Sequence, residues 1–535
     1  MSTERVTTSL VDNLPVRPMR RLAVLGIGGV GFGLLLVLNV GGYRYGISDQ
    51  AFYIPVVLQQ ITPGLYPHDA SLIGAQDRFF LFDDWFAQLV RATGISMPLA
   101  FLAAYGVTLA LFFGAIVAVG RVMYASWWTV AALAIGVTIR HRIPDTAVNT
   151  FESYFHPRIL AFTIGLWAVA ALLRGRTWLA LSITTLTLVV HPTTGLWFVI
   201  WVGTAALVAD RVARTTLVAL AVTSLAAVVW MLIGPLHNQL VVMDTAWWNV
   251  LTSKDYLIAT NWPLVTWAGS LAVAVLIAVV YRYRRTIGIN SPAEDGLVVG
   301  CAVLLGLFLL SVPVAAAHVA LVVQLQFNRI FWILDIFASC YLMWLVVESP
   351  VGTRARAVWL RVTPRRTMVS IMLLLALARG GYVMLVERAG QPLVQPDLAV
   401  SDWHDVMRWA SRQPVGTHFL AAPDHASRYG TSLRAASGRD VYLEISGDTG
   451  IAIYSKDIAN RLSERLSDLG GFELLDASRA LMLANRYELD FLITEHWLNL
   501  TEIRRIGRFH VYDLRGRNQV AASVLPRNTS TLRDN

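Results

Sequence analysis

The sequence predicts a mainly α-helical fold: a polytopic membrane helix bundle followed by a small α/β domain. Hydrophobic residues make up 56% of the 535 residues and charged residues only 15%, which is not the composition of a soluble globular protein. The apolar residues form about eleven runs, most of them long enough to cross a bilayer as a helix. Charges become frequent only after about residue 395, where short strand-like and helical patterns alternate.

The N-terminal segment, residues 1–21, is polar and basic, and we expect it to lie in the cytoplasm. The first apolar run, 22–40, is followed by no small-residue cleavage pattern before Tyr43, so it is predicted to remain as a signal anchor. Ten further runs complete a transmembrane domain predicted over 22–394; they lie at 97–119, 123–139, 157–173, 177–191, 192–209, 214–233, 262–281, 296–317, 329–348 and 367–386.

Basic residues occupy every second loop between these runs, and those loops are nearly free of acids. By the positive-inside rule they are cytoplasmic, which places the first loop, residues 41–96, on the other side together with the C-terminal domain. The net charge of +9 therefore reflects membrane topology. Basic patches interleaved with aromatic residues are missing from the sequence, so no nucleic acid partner is expected.

The C-terminal α/β domain is predicted over residues 395–517, and a loose polar tail follows at 518–535. Its predicted strands are 417–421, 441–445, 491–494 and 509–514, and its predicted helices are 402–411, 458–469 and 477–487. The two cysteines, Cys301 and Cys340, lie in apolar runs, which argues against a disulfide framework or a thiolate metal site.

The first external loop carries the acids that are candidates for chemistry. Asp49 comes soon after the first apolar run, and Asp83 and Asp84 stand as a pair near the end of the loop. A carboxylate at a membrane boundary is costly, which favours a functional role. The structural alternatives are that Asp49 caps a helix beginning at Gln50 and that Asp83 and Asp84 belong to a solvated turn.

Other external segments supply basic and imidazole groups. The connection between the third and fourth runs is unusually basic for an external loop, and it also holds Glu152. The HPTTG motif begins at residue 191, and an arginine stands at the start of the tenth run. Arginine binds phosphate through bidentate hydrogen bonds, although such side chains also extend to lipid headgroups and a histidine before proline also caps a helix. The candidate anion-binding residues are Arg140, Arg142, His156, Arg158, His191 and Arg329.

Two adjacent tryptophans, Trp247 and Trp248, lie in a further external segment. They are predicted either to stack on a sugar ring or, as is commoner, to belong to an interfacial aromatic belt.

These features together resemble the GT-C superfamily of integral-membrane glycosyltransferases, which use polyprenyl-phosphate-linked sugars. The resemblance covers most of the chain: a cytoplasmic N-terminus, a long first external loop with an early acid, about eleven spans and an external α/β domain. The sequence is most similar to an uncharacterised bacterial branch, through SDQAFYIPVVLQQITPGLYPHD, HPTTGLWF and the segment from Arg434 through SGRDVYLE.

The resemblance implies that Asp49 is the catalytic base and that the basic residues bind the lipid phosphate of the donor. It implies a polyprenyl-phosphate-linked sugar as donor, membrane lipid as surroundings, and a cell-envelope glycan, lipid or protein as acceptor. Asp83, Asp84 and Glu152 are candidates for contacting the acceptor or a metal. No cofactor is certain, and a divalent Mg²⁺ or Mn²⁺ is left open, because the superfamily often has paired acids where this chain has Asp49 followed by Gln50. The expected location is a bacterial inner membrane.

Two other functions remain open from the sequence. A lipid-linked glycan transporter or flippase would be expected to have internal repeats and broken helices with charges at the membrane midplane. A non-catalytic GT-C-like envelope-assembly protein would leave Asp49 and the basic residues far apart in space.

Overall fold

The computed structural model describes residues 18–77, 81–234, 236–360 and 365–516. Most of the segment predicted to be cytoplasmic and all of the predicted C-terminal tail lie outside these ranges. Within them the chain is mainly helical, with a small sheet near the C-terminus, as the sequence predicts.

The first part of the chain contains the elements of the bundle and its loops. In order they are α1 (Pro18–Asn39), β1 (Tyr43–Arg44), α2 (Gln50–Ile61), α3 (Ala70–Asp77), α4 (Leu81–Thr93), α5 (Met97–Met123), α6 (Trp127–Thr138), β2 (Arg142–Ile143), β3 (Val148–Asn149), α7 (Pro157–Leu173), α8 (Thr177–Val190), α9 (Pro192–Ala209), α10 (Arg214–Ile233), α11 (Thr245–Leu251), α12 (Leu264–Thr286), α13 (Pro292–Ala316), α14 (Ala320–Leu325), α15 (Ile330–Val347), α16 (Pro350–Ala355) and α17 (Arg365–Tyr382).

Eight of the described helical segments are long and apolar enough to cross a membrane. Three shorter apolar helices, α6, α7 and α8, account for the other predicted segments. The tenth predicted segment, 329–348, corresponds to α15, and the apolar helical stretch that contains it begins earlier, at Ala320. The prediction of a membrane helix bundle is confirmed.

Close helix packing in the bundle depends on small residues, as is usual in membranes. Trp201 of α9 is only 1% exposed and lies against α13, where a Cβ on Gly300 would be 2.6 Å from the indole Cδ1. In contrast, α10 buries only Leu217, and its other apolar side chains face outward on all sides. A helix that is apolar all round is suited to lipid.

The second part of the chain forms the C-terminal domain, which we define as residues 402–513. Its elements follow β4 (Val394–Gln395) and are α18 (Asp402–Ala410), β5 (His418–Leu420), α19 (His425–Arg428), α20 (Leu433–Ser437), β6 (Asp440–Val441), α21 (Ile445–Ala452), α22 (Lys456–Leu469), α23 (Ala477–Tyr487), β7 (Phe491–Thr494), β8 (Glu502–Ile506) and β9 (Phe509–Asp513).

The sheet of this domain has the strand order β6-β5-β7-β9-β8. The first three strands are parallel, and β9 is antiparallel to both of its neighbours. The strand predicted at 441–445 was wrong in its bounds: β6 ends at Val441, and α21 begins at Ile445. Strand β8 was not predicted, because its side chains are almost all exposed and show no apolar alternation.

The first loop is packed between the bundle and the C-terminal domain. Strand β1 pairs in parallel with β4, so the loop begins next to the linker that leads into the domain. Helix α2 is largely buried and contacts α4 on one side and α20 and α21 on the other. The prediction of a solvated turn at Asp83 and Asp84 was wrong: both lie in the first turn of α4, and Asp83 is fully buried.

Candidate functional site

A cavity of about 100 Å³ lies where the bundle, the first loop, the α11–α12 connection and the C-terminal domain meet. Its charged side chains are Asp49, Arg158, Lys254 and Arg329, and His191 lies beside them. Half of the remaining lining residues are aromatic, and the full set is Phe52, Tyr53, Tyr256, Gln326, Ser446, Gly450, Ile453 and Tyr454. Three cations therefore face one carboxylate, and two positive charges are left uncompensated.

Asp49 faces this cavity because the chain is turned sharply just before it. Ser48 has a φ of +52°, in the left-handed region, and the chain enters α2 directly after it. Asp49 occupies the N-cap position of α2, which begins at Gln50 as expected, but its side chain makes no capping hydrogen bond. It instead accepts a hydrogen bond of 3.0 Å from Nη2 of Arg158, with 28% of the Asp49 side chain exposed.

Residues on either side of Asp49 fix it to the segment that precedes α7. The Tyr154 hydroxyl donates to the Ser48 hydroxyl at 3.0 Å. The fully buried Gln50 side chain donates to the Phe155 carbonyl at 2.9 Å and accepts from the backbone N–H of Gly46 at 2.6 Å. These bonds hold the first loop beside Arg158, which explains why the two charged groups meet.

Two His-Pro pairs start helices near the cavity in the same way. His156 precedes Pro157 at the start of α7, and His191 precedes Pro192 at the start of α9. In each case the imidazole Nδ1 accepts a backbone N–H of the first helical turn at 3.3 Å, from Ile159 and Thr194 respectively. The capping role proposed for His191 is therefore present.

Both imidazoles are expected to be neutral. Burial, followed by the positive charges of Arg158 and Arg329 around them, holds the pKa of His156 and His191 well below the usual range. A neutral ring that accepts at Nδ1 carries its proton on Nε2. His191 lines the cavity at the N-terminus of α9, a position that favours anions.

Close packing of the HPTTG motif requires glycine at its fifth position. A Cβ on Gly195 would lie 2.1 Å from the Leu188 Cα, because α8 and α9 fold back on each other immediately at His191. No larger residue fits there, so the motif's glycine is what allows the imidazole to sit at this sharp turn.

Arg329 follows a break between α14 and α15. Gln326 ends α14 with a φ of +51°, and a short turn, Phe327–Arg329, leads into α15. In this turn the Asn328 side chain donates to the carbonyls of Asp145 and Tyr256, both at 2.9 Å. Asn328 thus ties the loop that carries Lys254 and Tyr256 to the bundle next to Arg329.

Lys254 was missed by the sequence analysis. It lies in a connection without apolar periodicity, and the one available signal was its rarity, since Lys254 and Lys456 are the chain's two lysines. It lines the cavity, and burial lowers its pKa although Asp49 acts in the opposite direction.

Several predicted site residues lie outside the cavity. Arg142 is exposed on β2, and Arg140 points toward Glu152 at 3.9 Å. Glu152 is buried, accepts from the Asn149 amide at 2.9 Å, and has a pKa raised by burial. The acids of α4 do not line it either.

Both of the paired tryptophans make contacts within the protein. Trp247 is buried and its indole N–H donates to the Ala452 carbonyl at 2.7 Å. Trp248 stacks on His318 with 3.7 Å between ring centroids. Neither tryptophan lines the cavity, so a sugar stacked there would contact other rings.

The side chains around the cavity do not fit a divalent metal. Mg²⁺ and Mn²⁺ need several oxygen ligands, usually more than one carboxylate. Asp49 is the single carboxylate among the lining residues, and its neighbours are cations. Across the described ranges, no group of three His, Cys, Asp or Glu side chains is arranged to hold a metal ion.

Comparison with known proteins gives limited guidance. No family model matches the sequence, and no curated protein is similar to it. Among solved structures, the apo Archaeoglobus fulgidus oligosaccharyltransferase aligns over 90% of this chain and 70% of its own, at 13% identity and a TM-score of 0.38. A similarity at that level assigns no activity to this chain.

Proposed function

We propose that this protein is a membrane glycosyltransferase of the GT-C type. It moves a sugar, hexosyl or pentosyl, from a polyprenyl-phosphate donor to a cell-envelope glycan, lipid or protein on the extracytoplasmic side of a bacterial inner membrane. The observation that carries the proposal is the cavity in which Asp49 faces Arg158, Lys254 and Arg329 at the ends of apolar helices. The sequence resemblance to GT-C enzymes supports the same function.

The charges suit transfer from a lipid phosphate. The acceptor hydroxyl loses its proton to the Asp49 carboxylate while its oxygen forms a bond to the anomeric carbon of the sugar. The bond from that carbon to the phosphate oxygen breaks, and its electron pair leaves with the lipid phosphate, which gains one negative charge. Arg158, Arg329 and Lys254 stabilise the departing phosphate, and transfer by this single displacement inverts the anomeric centre.

The location of the cavity suits a donor that is dissolved in the bilayer. Its arginines begin or interrupt apolar helices, so they lie close to the boundary of the hydrocarbon region. The distribution of basic loops supports the extracytoplasmic orientation of this face. The side chains found here do not suit a divalent metal, and the proposed reaction uses none.

The meeting of Asp49 with three cations argues against a non-catalytic envelope protein, for which separated groups were expected. A transporter is the second alternative, and it was expected to have charges at the membrane midplane. The charged groups of the cavity instead belong to helix starts, to a turn and to an external loop.

The test is transfer of radiolabelled sugar by the purified protein in lipid vesicles. Undecaprenyl-phosphate-linked hexoses and pentoses serve as donors, and delipidated cell envelope serves as acceptor. Loss of a general base typically costs about 10²- to 10⁴-fold, so D49N should lower the transfer rate by at least about 100-fold. D255N removes an exposed acid close to Lys254 and should keep the native rate.

Full activity of a folded D49N variant would reject Asp49 as the base. Native protein that carries the labelled lipid across the vesicle bilayer without transferring its sugar would reject the glycosyltransferase and favour the transporter.

A further inference from the structure

A second charged cluster joins the first loop to the C-terminal domain. Arg434 of α20 is 1% exposed, and its Nε donates to Asp69 of the first loop at 2.6 Å. Its Nη1 donates to Asp448 of α21 at 2.5 Å. Arg461 of α22 also pairs with Asp69. Thus two arginines and two carboxylates, drawn from four separate segments, neutralise one another in the protein interior.

The hydrogen bonds around this cluster lock the two segments to each other. The Asp69 carboxylate accepts the backbone N–H of Val441 at 3.2 Å, and the Tyr66 hydroxyl donates to the Arg434 carbonyl at 2.9 Å. The Asp448 carboxylate also accepts the backbone N–H of Glu444 at 3.1 Å. The first loop and the start of α21 are therefore held by a connected network.

Helix α21 also forms a wall of the cavity. Asp448 lies between Ser446 and Gly450, both of which line the cavity. Gly450 lies against Phe52 of α2, where an added Cβ would be 3.6 Å from the ring, and Phe52 follows Asp49 by less than one helical turn. The position of α21 relative to α2 therefore determines the distance between the C-terminal domain and the proposed base.

We propose that Arg434 is a positioning residue for this cavity: by pairing with Asp69 and Asp448 together, it holds α21 against the helix that follows Asp49. The inference rests on the proposed function for its ligand, a lipid phosphate. It assigns the C-terminal domain a role in binding, because the domain supplies the wall that separates the cavity's cations from bulk water.

Physical chemistry explains why a closed wall matters. Interaction between a phosphate and a guanidinium weakens steeply when water fills the space between and around them. A buried arginine without a carboxylate partner is strongly disfavoured, so the ion pairs of Arg434 with Asp69 and Asp448 form as the domain docks. The planar guanidinium is suited to bridging Asp69 and Asp448, whereas the single ammonium group of lysine cannot reproduce both contacts.

The test compares R434K with R486K in the purified full-length protein. Arg486 pairs with Glu464 and Asp468 of the same domain, but it is about half exposed and distant from the cavity lining, so it is a matched control. Farnesyl phosphate is the binding probe. R434K should weaken its binding about tenfold or more by opening the cavity to water, and R486K should bind as the native protein does.

Hydrogen exchange provides a readout that needs no ligand. In R434K the backbone amides of α2 and α21 should exchange faster than in the native protein, whereas R486K should leave both helices unchanged. If R434K does not fold, D448N replaces it, since Arg434 keeps its pair with Asp69 and only α21 is released. Faster exchange in α21 together with weaker binding is expected from D448N as well.

A folded R434K variant with native farnesyl phosphate affinity and native exchange in α21 would overturn the inference. Native protein that does not bind farnesyl phosphate would instead overturn the proposed ligand, and the exchange experiment would still decide whether Arg434 positions α21.

Discussion

Two aspartates of the same loop form ion pairs of opposite character. Asp49 pairs with Arg158 at 3.0 Å beside two further cations, and 28% of its side chain is exposed. Asp69 pairs with Arg434 at 2.6 Å and is completely buried. The first cluster has excess positive charge and opens to a cavity, whereas in the second two arginines pair with two carboxylates.

This contrast distinguishes a candidate binding site, the Asp49 cluster, from a structural joint, by which we mean the ion pairs of Asp69 and Asp448 with Arg434 and Arg461. A buried charge requires a partner, and the Asp69 cluster provides every charge with one. The cavity beside Asp49 contains more cations than carboxylates, so binding of an anion there lowers the free energy of the site. The Asp49 cluster is therefore the one suited to a ligand. The following predictions test that difference.

The largest expected effect concerns stability, because removing one partner from a buried ion pair leaves an unpaired charge inside the protein. D69N should lower the free energy of unfolding by about 3–5 kcal/mol, since Arg434 and Arg461 both lose a buried carboxylate. D49N should lower it by about 1 kcal/mol or less, since water can reach Arg158 through the cavity. Chemical denaturation of both variants in the same detergent measures the difference.

Equal destabilisation by D69N and D49N would contradict the comparison, because both pairs would then be structural. A D69N variant that does not accumulate agrees with the prediction if D49N is produced at the native level.

The next effect concerns ligand affinity and the surplus cations. R158Q and R329Q should each weaken farnesyl phosphate binding by about 10- to 100-fold, as expected for a charge-assisted hydrogen bond of roughly 1.5–3 kcal/mol. K254Q should have a smaller effect, because a lysine ammonium binds phosphate as a point charge whereas arginine binds it through two hydrogen bonds. R285Q removes an exposed cation at the other end of α12 and serves as the control. Isothermal titration at constant ionic strength gives the affinities.

A loss of affinity in R285Q as large as in R329Q would indicate general attraction of the anion by the basic protein. That result would contradict the inference that the cavity cations bind the phosphate specifically.

The sequence predicted some of these features because they depend on local patterns. Apolar length identified the spans, and Asp49, Arg158, His191 and Arg329 all stand near ends of apolar runs that the charge rule places on one side. The structure brings these four residues to one cavity, with His156 buried beside them. Their catalytic and binding roles stay predictions.

The rest depends on contacts that no local pattern specifies. Arg140 and Arg142 appeared equivalent to Arg158 in sequence, but the β2–β3 hairpin carries them away from the cavity. Asp69 meets Arg434 across more than 300 residues. The motif YPHD contains Asp69, and Arg434 begins the segment that ends in SGRDVYLE, but nothing in either indicates that the two residues pair.

The smallest expected effect concerns pH and a third carboxyl at the structural joint. Asp440 is buried, and its Oδ1 accepts the backbone N–H of Asp69 at 2.9 Å. Burial and then the negative charge of Asp69 raise the pKa of Asp440 from 3.8 to about 7, with Arg434 and the backbone N–H groups of His68 and Asp69 acting in the opposite direction. Asp69 stays ionised over this range, because its arginine partners outweigh burial and lower its pKa.

The sign of the effect follows from which state holds the proton. Between pH 3.8 and about 7 the unfolded chain has lost the Asp440 proton while the folded protein keeps it. The folded state therefore binds more protons, and the free energy of unfolding falls as the pH rises toward 7. The D440N variant carries no such proton, so the difference in unfolding midpoint between native protein and D440N should grow from pH 5 to pH 7 and become constant above pH 8. A difference that does not change with pH would show that Asp440 is ionised in the folded protein, and the joint would then hold one more negative charge than its arginines neutralise.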